Sequence, residues 1–172
     1  VSNYLEIIKN YCMDEIAQKI QKSAKDLKIA CYYGCLLVRP PKVLKFDDPE
    51  DPQSMDEIVK AIGAQPVDWE FKTNCCGGGF TLSRTDIVVK LTNDILEGAV
   101  EAGADAIAVA CPMCHANLDM RQKKIEKEYK RKFNIPIVYI SELIGLSLGL
   151  GSIGLGLDKH FVDTKSVVNA YS

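Results

Sequence analysis

The sequence has no uninterrupted hydrophobic run long enough to cross a bilayer. Its most apolar stretch, residues 140–150, contains Ser141 and Glu142 and falls short of the roughly 20 apolar residues that a membrane-spanning helix needs. The first ten residues also lack the basic region, apolar core and small-residue cleavage site of a secretory signal. The sequence therefore predicts a protein without a membrane span, in the reducing environment of the cytoplasm.

An excess of charge of one sign is also absent. The chain has 21 lysines and arginines against 23 acids, so its formal net charge is −2 and no basic field is available to attract a nucleic-acid backbone. The basic residues of segment 121–132 are interspersed with acids, which is typical of the solvated face of a helix. Some of them could still dock a partner protein, but nucleic acid is not an expected partner.

The length of the chain is sufficient for one domain with a buried core. It has 172 residues, of which 47% are hydrophobic, and this composition gives no reason to expect disorder. We expect a single domain with an N-terminal helix at 1–27, an α/β core at 28–150 and a C-terminal tail at 151–172. Because the chain starts at Val1 and not at methionine, we also expect it to be a fragment or a processed protein.

Two periods of hydrophobicity alternate along the chain. Apolar residues three or four positions apart indicate amphipathic helices, and short dense apolar runs indicate buried strands. We expect strands at 28–33, 66–71, 106–110 and 136–140, and helices at 3–26, 54–63, 84–102, 112–133 and from 141. Ser54 and Glu57 form a capping-box pattern at the start of the second helix. The alternation predicts a Rossmann-like α/β domain with about four parallel strands covered by helices.

Five of the seven cysteines follow predicted strand ends. Cys35 follows the first strand, Cys75 and Cys76 the second, and Cys111 and Cys114 the third. Because the carboxyl ends of parallel strands meet at one edge of the sheet, we expect these five thiols to converge there. The other two cysteines are expected in the core: Cys12 lies on the apolar face of the first helix and Cys31 inside the first strand, where it is the spare ligand if Cys35 is misassigned.

The surroundings of these cysteines suit thiolates. Pro112 places Cys111 and Cys114 at a helix start, where the helix dipole and free N–H groups stabilise negative charge. Gly77 and Gly78, which follow Cys75-Cys76, allow the backbone to approach a bulky anionic centre, and we predict that they contact a cofactor. No phosphate-binding glycine motif follows them.

The spacing of the cysteines favours an iron–sulfur cluster over zinc. A zinc site commonly uses two C-x-x-C pairs, whereas this chain has one such pair, one Cys-Cys pair and a single cysteine. Adjacent thiols can serve different irons of a cluster more readily than one tetrahedral ion. A structural zinc or assembly domain remains an alternative, and so does thiol–disulfide exchange at Cys111 and Cys114.

Three segments carry a family resemblance: YYGCLLVRP at 32–40, TNCCGGGF at 73–80 and CPMCHANLD at 111–119. They resemble the cysteine-rich CCG domain and, more narrowly, the B-subunit of heterodisulfide reductases, whose end is also similar to residues 141–160. The gaps of 39 residues before Cys75 and 34 residues after Cys76 fit the pattern of that family.

The resemblance implies a noncubane [4Fe-4S] cluster bound by Cys35, Cys75, Cys76, Cys111 and Cys114. It also implies an anaerobic oxidoreductase of methanogenesis, in which two such centres flank the disulfide of coenzyme M and coenzyme B and reduce it in single-electron steps. The implied partners are a ferredoxin-like iron–sulfur subunit and a flavin-containing subunit. An alternative within the family is a component of a hydroxy-acid or succinate-oxidising complex.

The chain departs from the family pattern by having one CCG repeat where the B-subunit has two. The resemblance therefore implies either a fragment whose upstream CCG half completes the active site, or a split, single-repeat relative of the family. No catalytic residue is assigned, but His115 follows the C-x-x-C and is a candidate to donate a hydrogen bond or a proton, with a capping or solvent-facing role equally open. His160 is expected to form a surface pair with Lys159, and the alternative is that the two residues line the path of an anionic substrate.

Overall fold

A computed structural model describes residues 2–172 of the chain as four parallel strands flanked by helices. The strands are β1 (Lys28–Tyr32), β2 (Gln65–Val67), β3 (Ala106–Val109) and β4 (Ile137–Tyr139). They are hydrogen-bonded in the order β2-β1-β3-β4, and every pair is parallel. The predicted Rossmann-like α/β fold with four parallel strands is confirmed.

Both faces of the sheet are covered, because neighbouring residues of a strand point to opposite sides. In β1, Ile29 and Cys31 belong to one hydrophobic core, whereas Ala30 and Tyr32 belong to the other. All four residues of β3 are buried, which explains why its sequence is apolar throughout. The sheet is therefore the central layer between two helical layers.

The helices of the described residues have the following bounds. The regular helices are α1 (Tyr4–Ile7), α2 (Met13–Lys19), α3 (Pro41–Leu44), α4 (Ser54–Ala61), α5 (Thr85–Glu101), α6 (Pro112–Asp119), α7 (Gln122–Tyr129), α8 (Ile140–Ser147), α9 (Ser152–Leu155) and α10 (Lys165–Ala170). A π-helical turn at Ile8–Cys12 joins α1 to α2, and 3₁₀ turns occupy Gly78–Phe80 and Leu157–Lys159. None of the helices within residues 2–172 combines the length and apolarity that crossing a membrane requires.

The first helix ends earlier than its apolar period predicts. Ile20 leaves the helical conformation with ψ of 127°. The N–H groups of Gln21 and Lys22 then donate to the carbonyl of Ser147, at 2.8 and 3.0 Å. A contact with the end of α8 thus replaces the last helical turns that the sequence predicts up to residue 26.

The capping box predicted at Ser54 is wrong. Gln53 is the N-cap residue, and the buried hydroxyl of Ser54 has no hydrogen-bond partner among the described residues. The carboxylate of Asp47 instead accepts the N–H groups of Gln53 and Ser54, at 3.1 and 2.8 Å. Asp47, seven residues before Ser54, therefore accepts the free N–H groups at the start of α4, a role that the local pattern assigned to Ser54.

Two other elements are shorter than predicted. Strand β2 stops at Val67, yet Trp69 and Phe71 still pack on the same core as Val67, as their alternation indicates. The chain then turns over the end of β1, where the carbonyl of Lys72 accepts from the N–H of Tyr33 at 2.8 Å. The helix predicted for 112–133 is divided into α6 and α7 at residues 120–121.

The C-terminal residues form part of the core. Leu157, Val167 and Tyr171 lie in the hydrophobic cluster that also contains Leu5 of α1. Residues 151–172 were expected to be a tail, but their apolar side chains pack beside those of the N-terminal helix. The two ends of the described chain thus contribute to one hydrophobic cluster on one face of the sheet.

Candidate metal centre

The five cysteines that follow the strands lie together beyond the carboxyl end of the sheet. Cys35 follows β1 after Tyr33-Gly34, Cys75 and Cys76 follow the turn at Lys72, and Cys111 is the N-cap residue of α6, with Cys114 in its first turn. The Sγ atoms of Cys76 and Cys114, both buried, are 3.6 Å apart. All seven cysteines of the chain are free thiols.

The buried phenol of Tyr32 shows how closely the thiols gather. Burial raises the pKa of Tyr32 well above its usual value, and the negative charge of four thiolates, Cys114, Cys76, Cys75 and Cys35, adds to this effect. The hydroxyl of Tyr32 donates to the carbonyl of Asn74, which immediately precedes Cys75. Tyr32, at the end of β1, therefore holds the loop of Cys75 and Cys76 through this hydrogen bond.

The thiols of Cys76 and Cys114 are within hydrogen-bond distance of each other. The hydrogen bond from Cys114 lowers the pKa of Cys76 against the effect of burial, with a further contribution from Asn117. The pKa of Cys114 is raised by the same hydrogen bond and by burial. The thiolate is the form that binds metal, and the contact with Cys114 favours it at Cys76.

Cys75 and Cys76 are adjacent in sequence but serve different sides of the site. Cys76 is buried against Cys114, whereas Cys75 is exposed and accepts the N–H of Gly77 at 3.3 Å. The pKa of Cys35 is raised by its partial burial and by the neighbouring Cys75 thiol. Cys76 thus contacts Cys114, and Cys75 lies beside Cys35. Two adjacent cysteines with different neighbours suit a polynuclear centre better than a single tetrahedral ion.

Two positions beside this site have a conformation and a close contact that require glycine. Gly34 has φ of +65°, and a Cβ atom there would lie 3.0 Å from the Sγ of Cys114. Gly77 has φ of +77°, and a Cβ atom there would meet Val88 at 3.2 Å. Gly78, also a predicted contact residue, lies beside the Sγ of Cys76. Sequence reasoning missed Gly34, although its position between a strand end and a cysteine was a usable signal.

The donor set fits an iron–sulfur cluster. Five thiols from three segments face one edge, and the glycine at position 34 leaves space beside the Sγ of Cys114. Soft thiolate ligands of this kind suit such clusters. Cys31 is on the opposite face of the sheet, fully buried among apolar side chains, and Cys12 packs partly buried against the same core, as the sequence predicts.

His115, which follows Cys114, lies in an aromatic and polar cluster. Its ring stacks on that of Tyr139, with centroids 4.5 Å apart and planes 8° from parallel. Its Nε2 is 3.3 Å from the Nδ1 of His160. Burial lowers the pKa of His115, and the neighbouring His160 lowers it further.

The surface pair predicted for His160 is wrong, because only 5% of its side chain is exposed. Its Nδ1 donates to the carbonyl of Ile137 at 2.8 Å, and its Nε2 pairs with the carboxylate of Glu142 at 2.9 Å. Burial opposes the charged imidazolium, but Glu142 outweighs it, so the pKa of His160 is raised. The sequence could not reveal this pair because its partners belong to distant segments.

His115, Asp119 and His160 offer ligand atoms within 4.8 Å of one another, a spacing that a metal ion could use. Two of these groups already have other partners, however. The two oxygens of the buried Asp119 accept the N–H groups of Phe161 and Val162 at 2.8 and 3.0 Å, and both nitrogens of His160 are hydrogen-bonded. The cluster therefore serves to hold the C-terminal segment against α6.

Sequence reasoning also missed a buried amide at the site. The Nδ2 of Asn117 lies 3.2 Å from the carbonyl oxygen of Cys76 and 3.6 Å from its Sγ. Arg121, which was assigned to a solvated helix face, turns inward and donates to Asn117 at 3.2 Å. The signal in the sequence was the position of Asn117, three residues after Cys114, on the same face of α6.

Comparisons with known proteins agree with this geometry. The sequence profile of the CCG cysteine-rich domain matches residues 29–119, just over half of the chain. The chain is 37% identical, over 80% of its length, to the B-subunit of the ferredoxin:CoB-CoM heterodisulfide reductase of Methanosarcina mazei. It is 36% identical, over 88% of its length, to the 8-methylmenaquinol:fumarate reductase membrane anchor subunit of Wolinella succinogenes. These alignments cover 46% and 53% of the relatives, so the chain spans about half of their length.

Proposed function

This chain belongs to the cysteine-rich CCG family, and from that premise we propose that it is an iron–sulfur redox subunit. Cys35, Cys75, Cys76, Cys111 and Cys114 hold one noncubane [4Fe-4S] cluster at the carboxyl edge of the sheet. When bound, the cluster supplies one-electron transfer. The observation that carries the proposal is the placement of five free thiols from three segments at one edge, with Cys76 and Cys114 in contact at 3.6 Å.

The residues around the thiols prepare the site for a charged group. Gly34 leaves space beside Cys114, and the N–H of Gly77 is aimed at the Sγ of Cys75. The helix start at Pro112 presents its positive dipole end next to Cys111. These groups stabilise thiolates and leave an exposed side at Cys75, where a substrate or a second redox centre can approach.

The substrate we propose is a thiol-derived disulfide such as that of coenzyme M and coenzyme B. Its support is the similarity to the B-subunits of heterodisulfide reductases, whose sequences from two Methanosarcina species are 37% and 34% identical to this chain. The chain then acts as part of a disulfide-reducing oxidoreductase in the cytoplasm. His115 stays a candidate proton donor without an assigned step.

The partners we propose come from the family resemblance and from the length shared with the relatives. Because the chain spans about half of its relatives, we expect an upstream CCG half to complete the substrate site. A ferredoxin-like iron–sulfur subunit and a flavin-containing subunit would deliver the electrons. Isolation of the complex from its native host, with this chain tagged, would identify these partners by mass spectrometry.

A second candidate function is electron transfer in an organic-acid reductase. The similarity to the fumarate reductase subunit of Wolinella succinogenes covers more of this chain, 88%, at nearly the same identity. The two functions differ in substrate, so the isolated complex should be assayed with reduced viologen against the coenzyme M–coenzyme B disulfide and against fumarate. Activity with fumarate alone would select the second function.

The cluster itself is tested on the 172-residue chain. We expect anaerobic purification or reconstitution to give a brown protein with about four irons and four acid-labile sulfides per chain, as the proposed cluster requires. The paramagnetic resonance spectrum of the oxidised centre would then identify the noncubane type. A colourless protein with stoichiometric zinc would refute the iron–sulfur proposal and select the structural zinc domain.

A further inference from the structure

Helix α6 places the buried side-chain amide of Asn117 next to Cys76. Asn117 is fully buried and lies one turn after Cys114 on the face of α6 that meets the loop of Cys75-Cys76. Its Nδ2 lies 3.2 Å from the carbonyl oxygen of Cys76 and 3.6 Å from the Sγ of the same residue. The NH₂ group of the amide is therefore within hydrogen-bond distance of both the backbone carbonyl and the thiol of Cys76.

The orientation of this amide is fixed by its other end. The Oδ1 of Asn117 lies 3.2 Å from the Nε of Arg121, which can only donate, and it accepts the hydroxyl of Thr81 at 3.1 Å. Rotation of the amide by 180° would place its NH₂ group against the guanidinium. The NH₂ group consequently faces Cys76.

Arg121 also ties the amide to the loop that carries the cysteines. Its second nitrogen donates to the carbonyl of Thr81 at 2.8 Å, five residues after Cys76. One guanidinium thus bridges α6 and the end of the glycine-rich loop. Its positive charge polarises the amide and makes the N–H groups of Asn117 better donors.

We propose that Asn117, oriented by Arg121 and Thr81, is a positioning residue that donates an N–H hydrogen bond to the Cys76 thiolate and raises the reduction potential of the bound cluster. This inference rests on the proposed function. Reduction adds negative charge to the cluster and its sulfur ligands, so a donor at a ligand sulfur stabilises the reduced state more than the oxidised one. The second N–H bond, to the carbonyl of Cys76, holds that ligand in place.

The test compares the midpoint potential of the cluster in the wild-type chain and in Asn117→Leu, which keeps the volume and removes both donors. We expect the variant to be at least tenfold less reduced at a given ambient potential, a shift of about 59 mV to more negative values for a one-electron couple. Loss of iron to a chelator should also be about 10-fold faster or more, as for other residues that support metal ligands.

The matched control is Asn93→Leu, because Asn93 is a buried asparagine of α5 whose side-chain hydrogen bond is to Asp94 and not to a cysteine. It reports the general effect of removing a buried amide, and we expect it to leave the potential unchanged. If Asn117→Leu does not retain the cluster, Arg121→Gln and Thr81→Val, which release the amide, should shift the potential in the same direction by a smaller amount. Thr81→Val does so without a change of charge.

The outcomes separate the two proposals. A wild-type chain without iron and sulfide refutes the proposed function. A wild-type chain that holds the cluster, with an unchanged potential in Asn117→Leu, refutes the role of Asn117 alone. If Arg121→Gln and Thr81→Val hold the cluster but Asn117→Leu does not, an unchanged potential in both of them also refutes the role of Asn117. A potential shift in Asn93→Leu equal to that in the variants of this hydrogen-bond network refutes it as well.

Discussion

The Sγ atoms of Cys76 and Cys114 lie 3.6 Å apart, although 38 positions separate the two residues in the chain. We therefore expect Cys76→Ser and Cys114→Ser to lose the absorption of the cluster and most of its iron, because serine is a poor substitute for a soft thiolate ligand. Iron content and visible absorption after anaerobic reconstitution measure the effect. The same loss is expected for serine at positions 35, 75 and 111.

Cys31→Ser and Cys12→Ser are the matched controls for this series, since neither thiol lies at the carboxyl edge of the sheet. Both variants should retain the wild-type absorption and iron content. Retention of the cluster in Cys35→Ser together with its loss in Cys31→Ser would instead make Cys31 the fifth ligand.

Gly34 should tolerate no side chain. Its φ of +65° is a left-handed conformation, and the methyl group of alanine would lie 3.0 Å from the Sγ of Cys114. We expect Gly34→Ala to lower the free energy of unfolding of the metal-free chain by about 1–2 kcal/mol and to reduce the iron that it binds. Gly79→Ala is the control, because a methyl group there meets no described atom within 4 Å, and equal losses in both variants would contradict the prediction.

The buried ion pair of Lys72 and Asp56 supports the turn that leads into Cys75. Their charged atoms are 3.3 Å apart, and each side chain is only 5% exposed. Lys72→Met should lower the free energy of unfolding by about 3–5 kcal/mol, because it leaves Asp56 charged, buried and without its cation. Denaturant unfolding of the metal-free chain under reducing conditions measures this loss.

Two further variants define the origin of that loss. The double variant Lys72→Met/Asp56→Asn should be more stable than Lys72→Met alone, since it removes the unpaired charge. Lys19→Met breaks the exposed pair with Glu15, whose side chains are about 70% exposed, and should change the stability by less than about 1 kcal/mol. If the double variant is no more stable than the single one, the unpaired charge is not the cause.

The stability of the metal-free chain should depend on pH through His160. Glu142 raises the folded-state pKa of His160 above that of the unfolded chain, so protonation favours the folded state. This stabilisation is complete below the unfolded pKa of about 6.5 and is lost as the pH rises through the higher folded value. His115, Asp119 and the carbonyl of Ile137 also face this imidazole.

Glu142→Gln removes the carboxylate and should therefore destabilise the chain most at low pH. Unfolding free energies of the wild-type and variant chains, measured from about pH 5 to about pH 8.5, should converge as the pH rises. A difference that is constant over this range, or that grows with pH, would show that the carboxylate does not stabilise the His160 imidazolium.

The positions of the strands and the convergence of the cysteines could be predicted from the sequence because both depend on local order. A buried strand is a short apolar run, and a parallel sheet places the residues that follow its strands at one edge. Cys35, Cys76 and Cys111 are found from those two facts alone. The cluster type that we propose comes from the family resemblance, because the spacing left iron–sulfur and zinc both open.

Contacts between side chains that are distant in the chain leave no local pattern to find. Asp47 replaced Ser54 at the start of α4, and Ser147 ended α2 by accepting two N–H groups, because tertiary partners outweighed local patterns. Arg121 was assigned to a solvated helix face because it lies in a charged segment, and His160 was assigned to a surface pair with Lys159 near the C-terminus. Their inward orientation depends on Asn117 and Glu142, which no period in the sequence connects to them.

Helix α6 begins at the cysteines and ends at Asp119, whose carboxylate holds the N–H groups of Phe161 and Val162. With eight residues it is about 12 Å long, so one short rigid rod joins the metal centre to the C-terminal segment. Binding of the cluster at one end should therefore slow hydrogen exchange at the amides of Phe161 and Val162 at the other. The C-terminal segment thereby becomes a remote reporter of whether the centre is filled.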